Sequence, residues 1–312
     1  MSLGILAHVK WFIDPRAHPT RYDLLLSWPV LLALLIALAA VGIAYLWQRN
    51  VPEPRAVRAL ERFARTGPLM LRVFLGISLI AAAVPGWLFV PSLPVEHGPG
   101  GYALLVIEVL CGLLIFAGLF TRFAAMLLAL LGVIAMAPFS FESILEQVAI
   151  LGIAIFLYIA GPGSISLDAR RSAHGALAHE HAPAAAFNLL RVAMGFGIAY
   201  NALTEKLLNP DLSQALLDQL PFLNVLRPLG VADPVFIWLA GLAELAIGAV
   251  IISGQITRPV MAIGFGLFTI TLVVFGMPEL IGHLPYYGIM LTLFIAPDAD
   301  SWHVRRTLRR AA

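Results

Sequence analysis

Long apolar runs, broken by short clusters of Arg, Gly and Pro, set the pattern of this chain. The first run is "LLLSWPVLLALLIALAAVGIAYLW" at 24–47. A helix needs about 20 apolar residues to cross the hydrocarbon core of a bilayer. The apolar core of a secretory signal is only about 7–15 residues long, so this run predicts a membrane span and not a cleaved leader. The same rule predicts further spans near 68–90, 102–120, 123–140, 143–161, 186–205, 235–253, 257–276 and 280–297. The expected fold is an all-α polytopic membrane protein with about nine transmembrane helices.

Composition agrees with that pattern. Of the 312 residues, 60% are hydrophobic and 12% are charged, and the mean hydropathy is +0.90. A soluble domain carries about 25% charged residues, so the expected partner of this surface is the lipid bilayer. A net charge of +2 gives no reason to expect nucleic acid. The lone Cys111 excludes an internal disulfide, a CxxC redox pair and a cysteine-based zinc site. No P-loop, no GxGxxG between a strand and a helix, and no HExxH occurs, so nothing points to nucleotide, flavin or nicotinamide.

Positive charge predicts the orientation. The first loop carries Arg49, Arg55, Arg58, Arg62 and Arg65, so it is expected inside. Counting spans from there puts Arg122, Arg170, Arg171, Arg258 and the tail "HVRRTLRR" on the same side. The chain is then expected to be multi-pass in the inner (plasma) membrane, with the N-terminus outside and the C-terminus cytoplasmic. The outer N-terminal segment, "HVKWFIDPRAHPTRYD", offers Trp11, Phe12 and Tyr22 to the interfacial belt.

The chain also repeats itself. "LRVFLG" at 71–76 returns as "LRVAMG" at 190–195, an offset of 119. "EVLCGLLIFAGLFTR" at 108–122 returns as "ELAIGAVIISGQITR" at 244–258, an offset of 136 that holds through "GIAIFLYIAGP" and "GIMLTLFIAPD". The extra 17 residues fall in the longer loop after the first helix of the second unit. The predicted organisation is a first segment with one helix and a basic loop (1–66), a four-helix unit (67–168), a His/Ala-rich linker (169–185) and a second four-helix unit (186–312). Each unit has an even number of helices, so the two repeats run parallel, related by an axis along the membrane normal.

The repeated residues resemble those of the DoxX family of four-helix membrane proteins. They are Arg72, Gly76, Glu108, Gly112, Gly118, Thr121 and Arg122, then Arg191, Gly195, Lys206, Glu244, Gly248, Gly254, Thr257 and Arg258. In the first unit the position matching Lys206 is Trp87, so that Lys is missing there. The resemblance implies a membrane component of quinone-linked redox chemistry on small sulfur or thiol compounds, with a partner redox subunit. It equally implies a non-enzymatic transporter or accessory protein in metal or oxidative-stress handling. A homo-oligomer and an anchor that recruits a soluble enzyme through loop 206–234 are further options.

Ionisable residues at membrane depth cost about 2.5–3.5 kcal/mol each on insertion scales, which makes them site candidates. Glu244, Lys206, His283 and Glu108 are the candidate catalytic residues, all in the predicted outer half. Quinol deprotonation needs a buried Glu and a nearby His. Tyr286, Tyr287, Gln147 and Trp238 are candidates to hold a quinone ring, and Glu146 adjoins Gln147. Structural pairing of the glutamates across helices stands beside the catalytic reading. Arg72 and Arg191 are expected to snorkel at inner helix ends, and Gly112 and Gly118 to allow close helix packing. His8, Asp14 and His18, and the tract "HGALAHEHA" at 174–182, are weaker metal candidates; no metal is assigned.

Overall fold

The computed structural model describes residues 8–171 and 182–296. Among them the secondary structure is helical, apart from one isolated β-bridge between Trp87 and Pro94. Five helical stretches are long and apolar enough to cross a membrane: Trp28–Asn50, Arg55–Ala83, Pro99–Ala117, Asp233–Ser253 and Thr257–Phe275. That is fewer than the nine apolar runs predict, and the reasons are physical. Thr121–Ala135 and Val148–Ala160 are apolar but short. Fifteen residues of helix cover only about 22 Å of a hydrocarbon core about 30 Å thick. Ala184–Ala202 and Met277–Ile295 are long enough, but Asn188, Arg191 and Asn201 in one, and Glu279 and His283 in the other, dilute the apolar run.

Besides the short helices Arg55–Arg58 and Leu167–Arg171, the described α-helices are α1 (Trp28–Asn50), α2 (Gly67–Ala83), α3 (Pro99–Ala117), α4 (Thr121–Ala135), α5 (Phe141–Leu145), α6 (Val148–Ala160), α7 (Ala184–Ala202), α8 (Pro210–Gln219), α9 (Asp233–Ser253), α10 (Thr257–Phe275) and α11 (Met277–Ile295). Three of their bounds keep the sequence offsets and the others do not. Ala83 and Ala202, which end α2 and α7, are 119 apart. Ala117 and Ser253, which end α3 and α9, are 136 apart, as are Thr121 and Thr257, which begin α4 and α10.

Inside each half the first helix lies against the second, α2 on α3 and α7 on α9. The contact is close because glycines meet. A Cβ on Gly76 would stand 2.9 Å from the Gly112 carbonyl oxygen, and one on Gly195 2.7 Å from that of Gly248. Across the halves the packing is reciprocal: α2 lies against α11, and α6 against α7. α1 packs on α9. Large apolar side chains such as Leu35, Leu38 and Ile43 of α1, Val133 of α4 and Val273 of α10 point outward. An apolar exterior of this kind is compatible with a lipid bilayer.

Each second helix ends on a left-handed glycine, Gly118 (φ +63°) or Gly254 (φ +73°). The arginine of the first helix lies against that glycine and caps the helix end. Arg191 donates to the carbonyls of Ile251 (2.7 Å) and Ile252 (2.5 Å). Arg72 donates to Ile115 (3.0 Å) and Phe116 (3.3 Å), and also to Pro162 and Ile165. These side chains do not snorkel; both are buried. Their positive charge sits where a helix C-terminus presents its unpaired carbonyls.

Candidate functional site: a buried charge cluster under the N-terminal segment

The site forms at the end of the bundle where α2, α4, α7 and α10 finish and α3, α6, α9 and α11 begin. Residue chemistry dictates the first part. α7 runs into one wide π-turn, Leu203–Leu207, closed by Leu208 N–H to the Leu203 carbonyl (2.8 Å). Such turns insert a residue and re-aim side chains, often at functional sites. Here Thr204, Glu205, Lys206 and Leu207 are all buried. Lys206 Nζ reaches Glu244 Oε2 on α9 at 2.9 Å and stands 3.9 Å from Glu205 Oε2.

The N-terminal segment supplies the second part. It lies over this end of the bundle in short 3₁₀ turns. The Val9 N–H donates to Glu205 Oε2 (2.8 Å), and His8 Nδ1 stands 3.6 Å from Glu205 Oε1. Lys10, only 6% exposed, donates to Glu142 at 2.7 Å and to Glu146. The Thr204 hydroxyl also donates to Glu146 (2.9 Å), so one carboxylate links the two halves. Thr20 (2.8 Å) and Tyr22 donate to Glu142 at the more open edge.

The third part is on α11. His283 is fully buried, with Nδ1 2.7 Å from Glu279 Oε2, yet neither ring nitrogen makes an aligned hydrogen bond. Its ring stacks on Phe268 (4.2 Å) and lies 5.0 Å from Trp11 and 5.2 Å from His8. Thr271 donates to Glu279 (3.2 Å). Glu244 Oε1 and Glu279 Oε1 are buried without a partner.

Electrostatics outside the spans follow from this geometry. Burial disfavours the Lys10 ammonium, but Glu146, Glu205 and Glu142 outweigh it and hold its pKa above the ordinary value. Burial also disfavours charge on His8, and Glu205 reverses that, leaving the pKa raised. Burial pushes Glu142 upward, yet the bonds from Lys10, Tyr22 and Thr20 bring it below its ordinary value.

The predicted residues therefore fall into four places. Glu244, Lys206 and His283 belong to one cluster, with His283 paired to Glu279 and joined to the others through His8 and Glu205. Tyr286 lies in it as well, 6.1 Å from His283. Tyr287 is one step away, its hydroxyl 3.3 Å from that of Thr269. Glu108 is separate: it accepts the Phe89 N–H (2.7 Å) from the loop after α2. Where the first half has Trp87 in place of a Lys, a main-chain donor two residues on takes the carboxylate. Gln147 is separate too. It lines an apolar cleft of about 110 Å³ between α4 and α6, with Phe89, Gly132, Met136, Ile144 and Leu151. Trp238 donates to the Pro29 carbonyl (3.0 Å) and holds α1 in place.

Sequence reasoning missed His8, Lys10, Glu142, Glu205 and Glu279 as members of the cluster. Two had a local signal: Glu205 adjoins Lys206, and Glu279 is one helical turn before His283. Lys10 and His8 had none, because their contacts are 132 or more residues away. Trp11 and Phe12 pack toward the bundle: Trp11 faces His283, and Phe12 stacks on Phe275 (4.6 Å). Asp14 is used as a cap, accepting the Arg16 N–H (2.9 Å). Among the described residues no group of three His, Cys, Asp or Glu side chains is arranged to hold a metal ion. Most of the tract at 174–182 lies outside the described residues.

No family model, no curated protein and no solved structure matches this chain.

Proposed function

We propose that the chain is a DoxX-like integral membrane protein of the plasma membrane, made of one extra helix and two parallel four-helix repeats. In this reading the N-terminus is outside, the C-terminus is cytoplasmic, and the cluster faces the extracytoplasmic side. We propose further that it is the membrane component of quinone-linked redox chemistry on small sulfur or thiol compounds, working with a redox subunit. The observation that carries this reading is the row of buried titratable groups from Glu146 through Glu205 and Lys206 to Glu244, beginning beside the apolar cleft at Gln147. Isolated buried charges are too costly to keep without pairing or function.

The cleft suits a quinone by its chemistry: its walls are apolar, and Gln147 is the one amide that lines them. A bound quinone supplies acceptance of two electrons and two protons. Gln147 would hold the ring oxygen, and Met136, Val133 and Leu151 the apolar tail. Glu146 is next to Gln147 and exchanges a proton with its surroundings through Thr204 and Lys10. Lys206 sets the charge on Glu244. The predicted aromatic pair Tyr286 and Tyr287 packs at the α10–α11 side and takes no part in this cleft.

The test is purification followed by an absorbance spectrum and quinone extraction, then quinone reduction by a thiol donor. Glu244→Gln and Lys206→Ala are expected to lower the rate per folded molecule, and unaltered rates in both would rule the site out. A second reading, a transporter or accessory protein, draws support from the partnerless carboxylate oxygens of Glu244 and Glu279. It expects substrate-dependent uptake by proteoliposomes and a quinone-free purified protein.

A further inference from the structure

We propose that the loop between α1 and α2 is a docking surface for anionic phospholipid headgroups. The inference rests on the reading that the chain spans a bilayer, and not on the redox reading. The loop lies at the end of the bundle opposite the charge cluster, where α1 ends at Asn50 and α2 begins at Gly67. Charge is the first argument. Arg49 at the end of α1, and Arg55, Arg58 and Arg62 in the loop, are all exposed. Among the described residues none of these four is in an ion pair. Arg58 rests on the Glu53 carbonyl (3.2 Å).

The second argument is where the acids of the loop go. Glu61 stands three residues after Arg58, a spacing that suits a helical ion pair. Instead Glu61 and Glu53 turn inward to Arg258, at 2.9 Å and 2.5 Å. Arg258 is fixed by the fold: it is buried and also donates to the Phe294 (2.8 Å) and Ala296 (2.7 Å) carbonyls. Both acids are thereby held on the bundle side, and the outer face of the loop keeps its positive charge. Orientation on insertion needs only the count of Arg and Lys; it does not require the acids to be drawn away. The third argument is the setting. Trp47 and Val51 flank Arg49 and are exposed, and so is Phe63, whose ring centre lies 4.8 Å from the Arg62 guanidinium carbon. A cluster of arginines next to a span attracts anionic headgroups, and exposed apolar side chains beside it suit the chains of the same lipid. An acidic peptide would answer the arginines and leave the apolar neighbours unused.

The test uses the full chain in nanodiscs of phosphatidylcholine, alone or with one quarter phosphatidylglycerol. A chain recovered in solution without detergent would fail the membrane reading before any disc is made. Amide exchange of the peptide carrying 55–66 is followed by mass spectrometry, with the peptide carrying α8, at the other end of the bundle, as reference. Several-fold slower exchange at 55–66 is expected in the phosphatidylglycerol discs, and no change at α8. Raising salt from about 0.1 M to about 1 M shortens the screening length from about 10 Å to about 3 Å, so most of that slowing is expected to disappear. Replacing Arg55, Arg58 and Arg62 together by Gln is expected to remove it, and replacing them by Lys to keep it, because the headgroup is held by charge. Equal exchange in the two discs overturns the proposal, as does slowing that survives high salt or the Gln replacements, or that is lost in the Lys chain. If the Gln chain fails to insert, the salt series and the Lys chain decide. Equal slowing in phosphatidylcholine discs by free glycerol phosphate or by polyglutamate would assign the surface to a soluble phosphate or an acidic protein, and overturn the lipid.

Discussion

A buried charge is interpretable only through its partner, and the two repeated glutamates show why. Glu244 neutralises Lys206, whereas Glu108 receives a single main-chain N–H. Glu108→Gln keeps an oxygen for Phe89 and is expected to change stability by less than about 1 kcal/mol, as for one neutral hydrogen bond. Glu244→Gln leaves the buried Lys206 ammonium with Glu205, 3.9 Å away, as its nearest remaining carboxylate, so the loss is expected to exceed that of Glu108→Gln but to stay below the about 3–5 kcal/mol of a buried charge left with no partner. Thermal unfolding in detergent separates the two. Equal losses would show that Lys206 does not depend on Glu244. The arginines make a second pair. Arg191→Lys keeps the charge but loses the planar fork that reaches two carbonyls at once. It is expected to lose about 1.5–3 kcal/mol, the worth of one charged hydrogen bond, and a Tm equal to that of the unsubstituted protein would remove the cap from the argument.

At the scale of an element, the N-terminal segment behaves as a strap with two opposed titrations. The faces around His8 are Glu205 and Lys206 on the π-turn, Glu279 and His283 on α11, and Lys10 on the segment itself. The His8 pKa is raised above its ordinary 6.5, so its contribution is full below that value and fades as pH rises through the folded pKa. The Glu142 pKa is lowered below its ordinary 4.5, so its contribution is full above that value and fades as pH falls through the folded pKa. On these two groups alone the strap is tightest between pH 4.5 and 6.5. Protection of the Val9 amide, taken against the intrinsic exchange rate at each pH, is expected to peak in that window, and His8→Gln to remove the loss of protection on the alkaline side alone. A flat profile would mean that these groups do not hold the strap. This element also marks the limit of what the sequence discloses. Apolar periodicity and the repeated "LRV" and "E…TR" strings locate the helices and bring Glu244 and Lys206 forward, because a span is a local property. The strap is polar, short and irregular, and its partners lie on α5 and the π-turn, so no local pattern announces it. The run predicted as a span over 68–90 is helical only to Ala83, because a left-handed glycine interrupts it. Gly86 (φ +84°) donates back to the Ala83 carbonyl (3.1 Å), and Val95 N–H pairs back to the Gly86 carbonyl (2.9 Å).

At the scale of the whole molecule, the two halves close on each other through matching positions. Gly152 on α6 faces Ala193 on α7, and Gly288 on α11 faces Phe74 on α2. Gly152 and Gly288 are 136 apart, and Phe74 and Ala193 are 119 apart, so the two contacts are the same contact by sequence offset. A Cβ on Gly288 would stand 3.0 Å from Phe74 Cβ, and one on Gly152 would run into Ala193 Cβ. Added side-chain volume in a filled interface costs about 1–3 kcal/mol. Gly152→Val and Gly288→Val are each expected to lose that much. Gly132 and Gly266 have open space at the same position, so Gly→Ala there serves as the control. In a helix that change is worth up to about 1 kcal/mol in the favourable direction. The two valine variants act on separate interfaces, α6 on α7 and α11 on α2, so the double variant is expected to match the sum within about 0.5 kcal/mol. A double variant no worse than either single would mean that the halves part as one unit once either face opens. A Gly288→Val chain of unchanged stability would mean that the reciprocal closure of the halves does not hold at this face.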